Sequence, residues 1–246
     1  MIAQTFDPYA ELQSAFNVLK QNFSLASIPI VAWIINACVF GAALALAGVP
    51  AAVLFGSGMW TFPALMSVLM GALLWFSIAA IVMGVVWLVA HGAVIAASQS
   101  LWEGRQADLS AGVSRALARL VDLLVAGLIL AVIAVAISWT VIGPLALFFL
   151  MMYVAPAIVV GGEGAIDAIG TSWRLSTQNA NQTFAAFIGI VLAGFVVAVI
   201  HAVLTHVWII GWIVEALVSG AFGAYVALVV VRFYDLLRNA PSIQKT

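Results

Sequence analysis

Three histidines, one cysteine and nine carboxylates are nearly all this chain of 246 residues has for acid–base or metal chemistry. His201 and Glu215 stand about seven residues to either side of a turn expected near Trp208, so in an antiparallel helix pair they share a depth. Glu215 is an acidic residue expected inside a membrane span, where a carboxylate is costly to hold. The two side chains suit a proton or cation relay, and equally a hydrogen-bonded staple between helices. His206 lies closer to the same turn. His91, beside Gly92, has the chemistry to ligate a porphyrin and also suits a packed or snorkelling side chain. Cys38 is the single cysteine, which excludes an internal disulfide or a cysteine metal cluster.

No His-Glu-x-x-His, Gly-x-Ser-x-Gly, P-loop or dinucleotide fingerprint occurs. Glu103, Asp108, Glu163 and Asp167 fall in turns and short polar segments, where solvated or capping roles are expected. Gly161-Gly162-Glu163-Gly164 is a turn without the Lys and Ser/Thr that a phosphate cradle requires. Asn181-Gln182-Thr183 matches a glycosylation sequon, but on the side of the membrane where it is not read. No catalytic residue, cofactor or metal is therefore expected, and the chain reads as a non-enzyme.

Composition explains the scarcity. Hydrophobic residues make up 66% of the chain and charged residues 7%, against about 45–50% and 25% in soluble domains. The apolar runs are continuous over 18 or more residues rather than alternating, which selects transmembrane helices over a β-barrel. The fold class expected is an all-α integral membrane protein forming one polytopic domain over residues 1–246. A net charge of −1 carries no nucleic-acid footprint. The first residues lack a basic signal region, so the first span is expected to be retained.

Six spans follow, near Ser27–Ala47, Leu65–Ala97, Leu120–Ile137, Pro144–Val160, Phe184–Leu204 and Ile213–Val231. The stretch 48–63, interrupted by Pro and Gly, reads as an interfacial or re-entrant piece. All eight basic residues precede span one, follow span six, or lie between spans two and three or four and five. The positive-inside rule then puts both termini in the cytoplasm. Trp60, Trp139, Trp208 and Trp212 fall at the expected outer boundary, and Trp102 and Trp173 at the inner one.

Three short segments, near 8–23, 110–120 and 165–175, precede the outgoing spans and carry apolar residues at helical spacing. Tyr9, Leu12, Phe16, Leu19 and Phe23 form such a face in the first. Val113, Leu117 and Leu120 do so in the second, and Ile166, Ile169 and Trp173 in the third. The chain thus reads as three hairpins, each with an amphipathic foot on the cytoplasmic side. Small residues recur at four-residue steps: Ala37, Gly41 and Ala45 in span one, Ala185, Gly189 and Ala193 in span five, Ala216, Gly220 and Ala224 in span six. In lipid such stripes mark helix packing, within the chain or in a homodimer.

From span four onward the residues resemble a known family. Ala155-Pro156-Ala157-Ile158-Val159-Val160, then Glu163-Gly164-Ala165-Ile166-Asp167-Ala168, then Ser172-Trp173-Arg174-Leu175 with Asn179, are similar to the signature of the YciC-like prokaryotic inner-membrane proteins of unknown function. The membrane domain fused to some glycerophosphodiester phosphodiesterases shares it. His91-Gly92 to Gly104 and the closing run Arg232 to Arg238 fit the same layout. The resemblance implies a stand-alone membrane domain and transfers no catalytic residue. Two functions are expected from all this: a scaffold, assembly or lipid-organising protein whose partners are membrane lipids, other membrane proteins or its own copy, or else a small transporter or channel using His201 and Glu215. Nucleic acid is not an expected partner.

Overall fold

The computed structural model describes residues 7–57, 62–140, 142–204 and 208–239. Helices account for nearly all of them, and no strand occurs among the described residues. Asp7 starts the first helix, α1 (Pro8–Gln21): its carboxylate accepts from the Tyr9 N–H at 3.0 Å, and Pro8 occupies a position where no backbone donor is needed. After a 3₁₀ turn, Phe23–Ala26, come α2 (Ser27–Ser57) and α3 (Phe62–Trp102). Then follow α4 (Leu109–Ala118), α5 (Leu120–Ile137), α6 (Ile142–Met151) and α7 (Val154–Val159). The chain closes with α8 (Ala165–Gln178), α9 (Ala180–Leu204) and α10 (Trp208–Asn239).

Six segments are long and apolar enough to cross a membrane: Phe23–Gly48, Leu65–Trp102, Leu120–Ile137, Ile142–Val159, Ala180–Val203 and Gly211–Asn239. They coincide with the six spans read from the sequence. Of the stretch 48–63, residues 48–57 are not a separate piece, since α2 stays helical through Pro50 to Ser57, α3 begins at Phe62, and 58–61 lie outside the described residues. At 41 residues α3 is longer than expected, about 62 Å at 1.5 Å per residue.

Span four is two helices, and Pro156 is the reason. A proline inside a helix donates no hydrogen bond and collides with the carbonyl four residues earlier. The helix interrupts at Met152–Tyr153, three to four residues before Pro156.

Contacts divide the chain into two compact units, Val31–Leu88, and Met1–Ile30 with Val89–Thr246. In the smaller unit the Phe40 and Phe76 rings lie 6.1 Å apart, and Met70, Leu73 and Ile81 are exposed, as side chains facing lipid would be. The larger unit holds the densest core. Its longest continuous buried runs are Gly92–Ser98 on α3, Pro156–Val159 on α7 and Ala227–Val231 on α10. These three ends touch pairwise. A Cβ on Gly92 would stand 3.5 Å from Val159 Cγ2. Trp102 Nε1 donates to the Leu228 carbonyl at 3.0 Å, and Gly161 lies against the Tyr234 hydroxyl.

The short helices pack around that core in a common register. Each buries the residues seven and three positions before its C-cap: Ala15 and Leu19 before Asn22, Gly112 and Ala116 before Arg119, Ser172 and Ser176 before Asn179. Helix α4 lies on α3, where a Cβ on Gly112 would come within 2.7 Å of the Ala93 carbonyl oxygen, so only glycine permits the approach. Helix α8 lies on α6 and α7, and α1 on α9 and α10. Each thus rests on the even-numbered span before it in the chain, with α1 resting on the last.

Candidate functional site

The His201 and Glu215 side chains do meet. Nδ1 of His201 lies 3.3 Å from Oε1 of Glu215, joining the end of α9 to the start of α10. His201 is half exposed. Val197, Ile200, Val218 and Ser219 complete a notch of about 10 Å³, which is about the space of one water. The pair can share a proton or form an ion pair when the imidazole is protonated. The remaining notch residues offer only the Ser219 hydroxyl. His206 lies outside the described residues. His91 is half-buried on α3 beside the packed Gly92, and no group of three or more His, Cys, Asp or Glu able to hold a metal occurs among the described residues.

A second polar assembly escaped sequence reading altogether. The break in span four frees the carbonyls of Phe149 and Leu150 and the N–H of Tyr153 from the regular helical ladder. Helix α8 supplies the partners. Ser172 Oγ donates to the Leu150 carbonyl at 2.8 Å and accepts from the Tyr153 N–H at 3.1 Å. Ser176 Oγ lies 3.2 Å from both the Phe149 and Leu150 carbonyls. The Tyr153 hydroxyl reaches Thr183 Oγ1 at 3.3 Å. Ser172, Ser176, Tyr153 and Thr183 are all fully buried. A broken helix at membrane depth is tolerated where protein groups re-satisfy its backbone, and here two serines at i and i+4 do so. The available signal was Pro156 together with two hydroxyls one helical turn apart in the next segment.

The short helices divide their large apolar residues differently from the single faces expected. In α1, Leu12 and Leu19 pack inward, while Tyr9 and Phe16 are exposed. In α4, Leu117 is exposed while Gly112 and Ala116 are buried. In α8, Ile166 and Trp173 are exposed while Ala168, Ser172 and Ser176 are buried. In α4 the packed face is made of small side chains, and in α1 and α8 small side chains share it with Leu12, Leu19 and Leu175. Asp108 caps α4, accepting from the Ala111 N–H at 3.0 Å, and this bond holds its carboxyl below the ordinary carboxylate range. Glu163 departs from the solvated role: it is partly buried, and its Oε2 has no hydrogen-bond partner among the described residues.

The small-residue stripes have different fates. Gly189 lies against Leu12, and a Cβ there would stand 2.7 Å from Leu12 Cδ1; Ala185 and Ala193 beside it are half-buried. Gly220 lies against Ile30, between buried Ala216 and Ala224. In the smaller unit, Ala37 is half-buried, while Gly41 and Ala45 are exposed.

Six helices of membrane-crossing length and apolarity define the class: a multi-pass α-helical membrane protein. No family model, curated protein or solved structure matches the chain.

Proposed function

We propose that this protein is a non-catalytic, multi-pass component of a prokaryotic inner membrane, with both termini cytoplasmic, acting as a scaffold, assembly or lipid-organising factor. Its three short helices serve as the feet of three hairpins and form a collar at the cytoplasmic headgroup level. One observation carries the reading. Each foot packs one face on a span and leaves bulky apolar residues exposed on another, Tyr9 and Phe16, Leu117, and Ile166 and Trp173, a division that suits an amphipathic helix wedged between protein and lipid. The quoted resemblance to YciC-like proteins agrees with this reading but names no activity. Partners of a collar are membrane lipids, other membrane proteins or a second copy of the chain.

The test is depth. Spin labels placed by Tyr9→Cys and Ile166→Cys in a Cys38→Ser background should be more accessible to oxygen than to a water-soluble nickel complex in liposomes. The reverse order at both sites would remove the collar.

A second reading rests on the 3.3 Å His201–Glu215 contact: a small transporter or channel in which the pair relays a proton. Glu215→Gln keeps the shape and most hydrogen bonding while removing the titrating group. A staple loses little by that change, since membrane hydrogen bonds average about 0.6 kcal/mol. Loss of a proton-coupled flux by a folded Glu215→Gln protein would establish the transporter.

A further inference from the structure

We infer that the collar is selective for anionic phospholipid, through one uncompensated cation on each foot; this rests on the collar reading above. The seven described basic residues fall into two groups. Arg105 contacts Glu103, Arg119 lies 3.7 Å from Asp122, and Arg232 binds Glu11 at 2.7 Å. Arg238 donates to the Tyr234 hydroxyl at 3.2 Å. Like Arg238, the other three form no carboxylate salt bridge among the described residues: Lys20 on α1, Arg115 on α4, whose Nη1 donates to the neutral Gln99 Oε1 at 2.9 Å, and Arg174 on α8. All three are exposed.

Position along the chain sets their depth. Lys20 lies three residues before the crossing segment that begins at Phe23, Arg115 five before Leu120, and Arg174 six before Ala180. At 1.5 Å per residue these are at most about 5–9 Å of helix, close to the thickness of a headgroup layer, about 5–8 Å on each side of the hydrocarbon. Each cation also has an exposed apolar neighbour on its own foot: Phe16, whose ring is 5.7 Å from Lys20 Nζ, Leu117 and Trp173. An apolar group in the acyl boundary beside a cation at phosphate level matches a phospholipid with net negative charge. The acidic residues nearby are engaged or distant. Glu11 is bound to Arg232, and Asp108 caps α4. Asp167 sits in the first turn of α8, about 10 Å along the axis from Arg174.

Lipid binding to the detergent-solubilised full chain, measured by native mass spectrometry with phosphatidylglycerol against phosphatidylcholine, tests this. The wild type should prefer phosphatidylglycerol. Each of Lys20→Gln, Arg115→Gln and Arg174→Gln should lower that preference about fivefold, the contribution of one basic residue near an anionic surface. Arg105→Gln, which removes a carboxylate-paired cation, should leave it unchanged. Millimolar inorganic phosphate should not compete, since the site takes a lipid rather than a free anion. An unfolded single variant would show as a lowered melting midpoint in phosphatidylcholine, and the other two then carry the test. No preference in the wild type, or full preference retained by folded single variants, would overturn the inference. If the spin labels at 9 and 166 report lipid while no headgroup preference appears, the collar stands and its anionic selectivity falls.

Discussion

The short helices α1 and α8 are built to one pattern and filled with different chemistry. Helices α1 and α8 each have 14 residues and end on an asparagine of nearly the same conformation, φ −126° and ψ 50° at Asn22, φ −122° and ψ 46° at Asn179. Both side chains donate Nδ2 to the carbonyl four residues back, Val18 at 3.0 Å and Leu175 at 3.1 Å. Tyr9 and Ile166, in equivalent positions, are each 74% exposed, and Phe16 and Trp173 are 52% and 53% exposed. Yet the buried pair is Ala15 and Leu19 in one, Ser172 and Ser176 in the other. The neighbour explains the difference. Helix α10 beside α1 is unbroken from Trp208 to Asn239 and satisfies its own carbonyls. Span four beside α8 is broken, and its freed backbone groups require hydroxyls. Packing geometry sets the register, and the state of the neighbouring backbone sets the side-chain type.

The sharpest way to break that comparison is to exchange the chemistries. The double variant Ser172→Ala, Ser176→Ala should lose about 2–4 kcal/mol, since each buried carbonyl left without a partner costs about 1–3 kcal/mol. Ala15→Ser should lose less than about 1 kcal/mol, because the new hydroxyl can bond back to its own helix. Unfolding by sodium dodecyl sulfate in bicelles measures both, and equal losses would show that the serines matter only by size.

Next in size is the coupling between proline and serine. Pro156→Ala restores a backbone donor and lets span four run on as one helix. In a double-mutant cycle it should relieve at least about 1 kcal/mol of the Ser172→Ala cost. Strict additivity of the two changes would detach the serines from the break.

The shared caps should behave alike. Asn22→Ala and Asn179→Ala each remove one side-chain-to-carbonyl bond and should each cost about 1 kcal/mol. Costs differing severalfold would mean that the matched dihedral angles hide unlike junctions.

The smallest effect extends the comparison to α4. The carboxyl of Asp108 is held below its ordinary range chiefly by the Ala111 N–H, with Ser110 adding to it. Its contribution is therefore fully present above the ordinary carboxylate range and is lost as pH falls through the lowered value. Asp108→Asn should flatten that acid limb of the midpoint-against-pH curve while leaving the neutral region nearly unchanged. An unaltered acid limb would dissociate the cap from the pH response.

Much of the molecule was legible in its residues because the membrane leaves few alternatives. Spans must be apolar and about 20 residues long, so six runs of Leu, Val, Ile and Ala announce six helices. Asp7-Pro8 marks the start of α1 because proline fits only the first turn. His201 and Glu215 could be paired from spacing alone, because an antiparallel hairpin makes depth a function of distance from the turn. Tertiary structure decided what depends on a neighbour distant in sequence. Nothing local in α1 says that Leu19 is buried while Phe16 is exposed, since both lie on one apolar stripe and only the position of α10 separates them. Nothing local in α8 says that Ser172 and Ser176 are backbone partners, because the groups they satisfy lie 19 to 27 residues away in a helix that Pro156 has opened. Covalent order and the bilayer determine which segments are helices. Which face of each helix is inside is decided by close contact, and close contact exists only once the chain has folded.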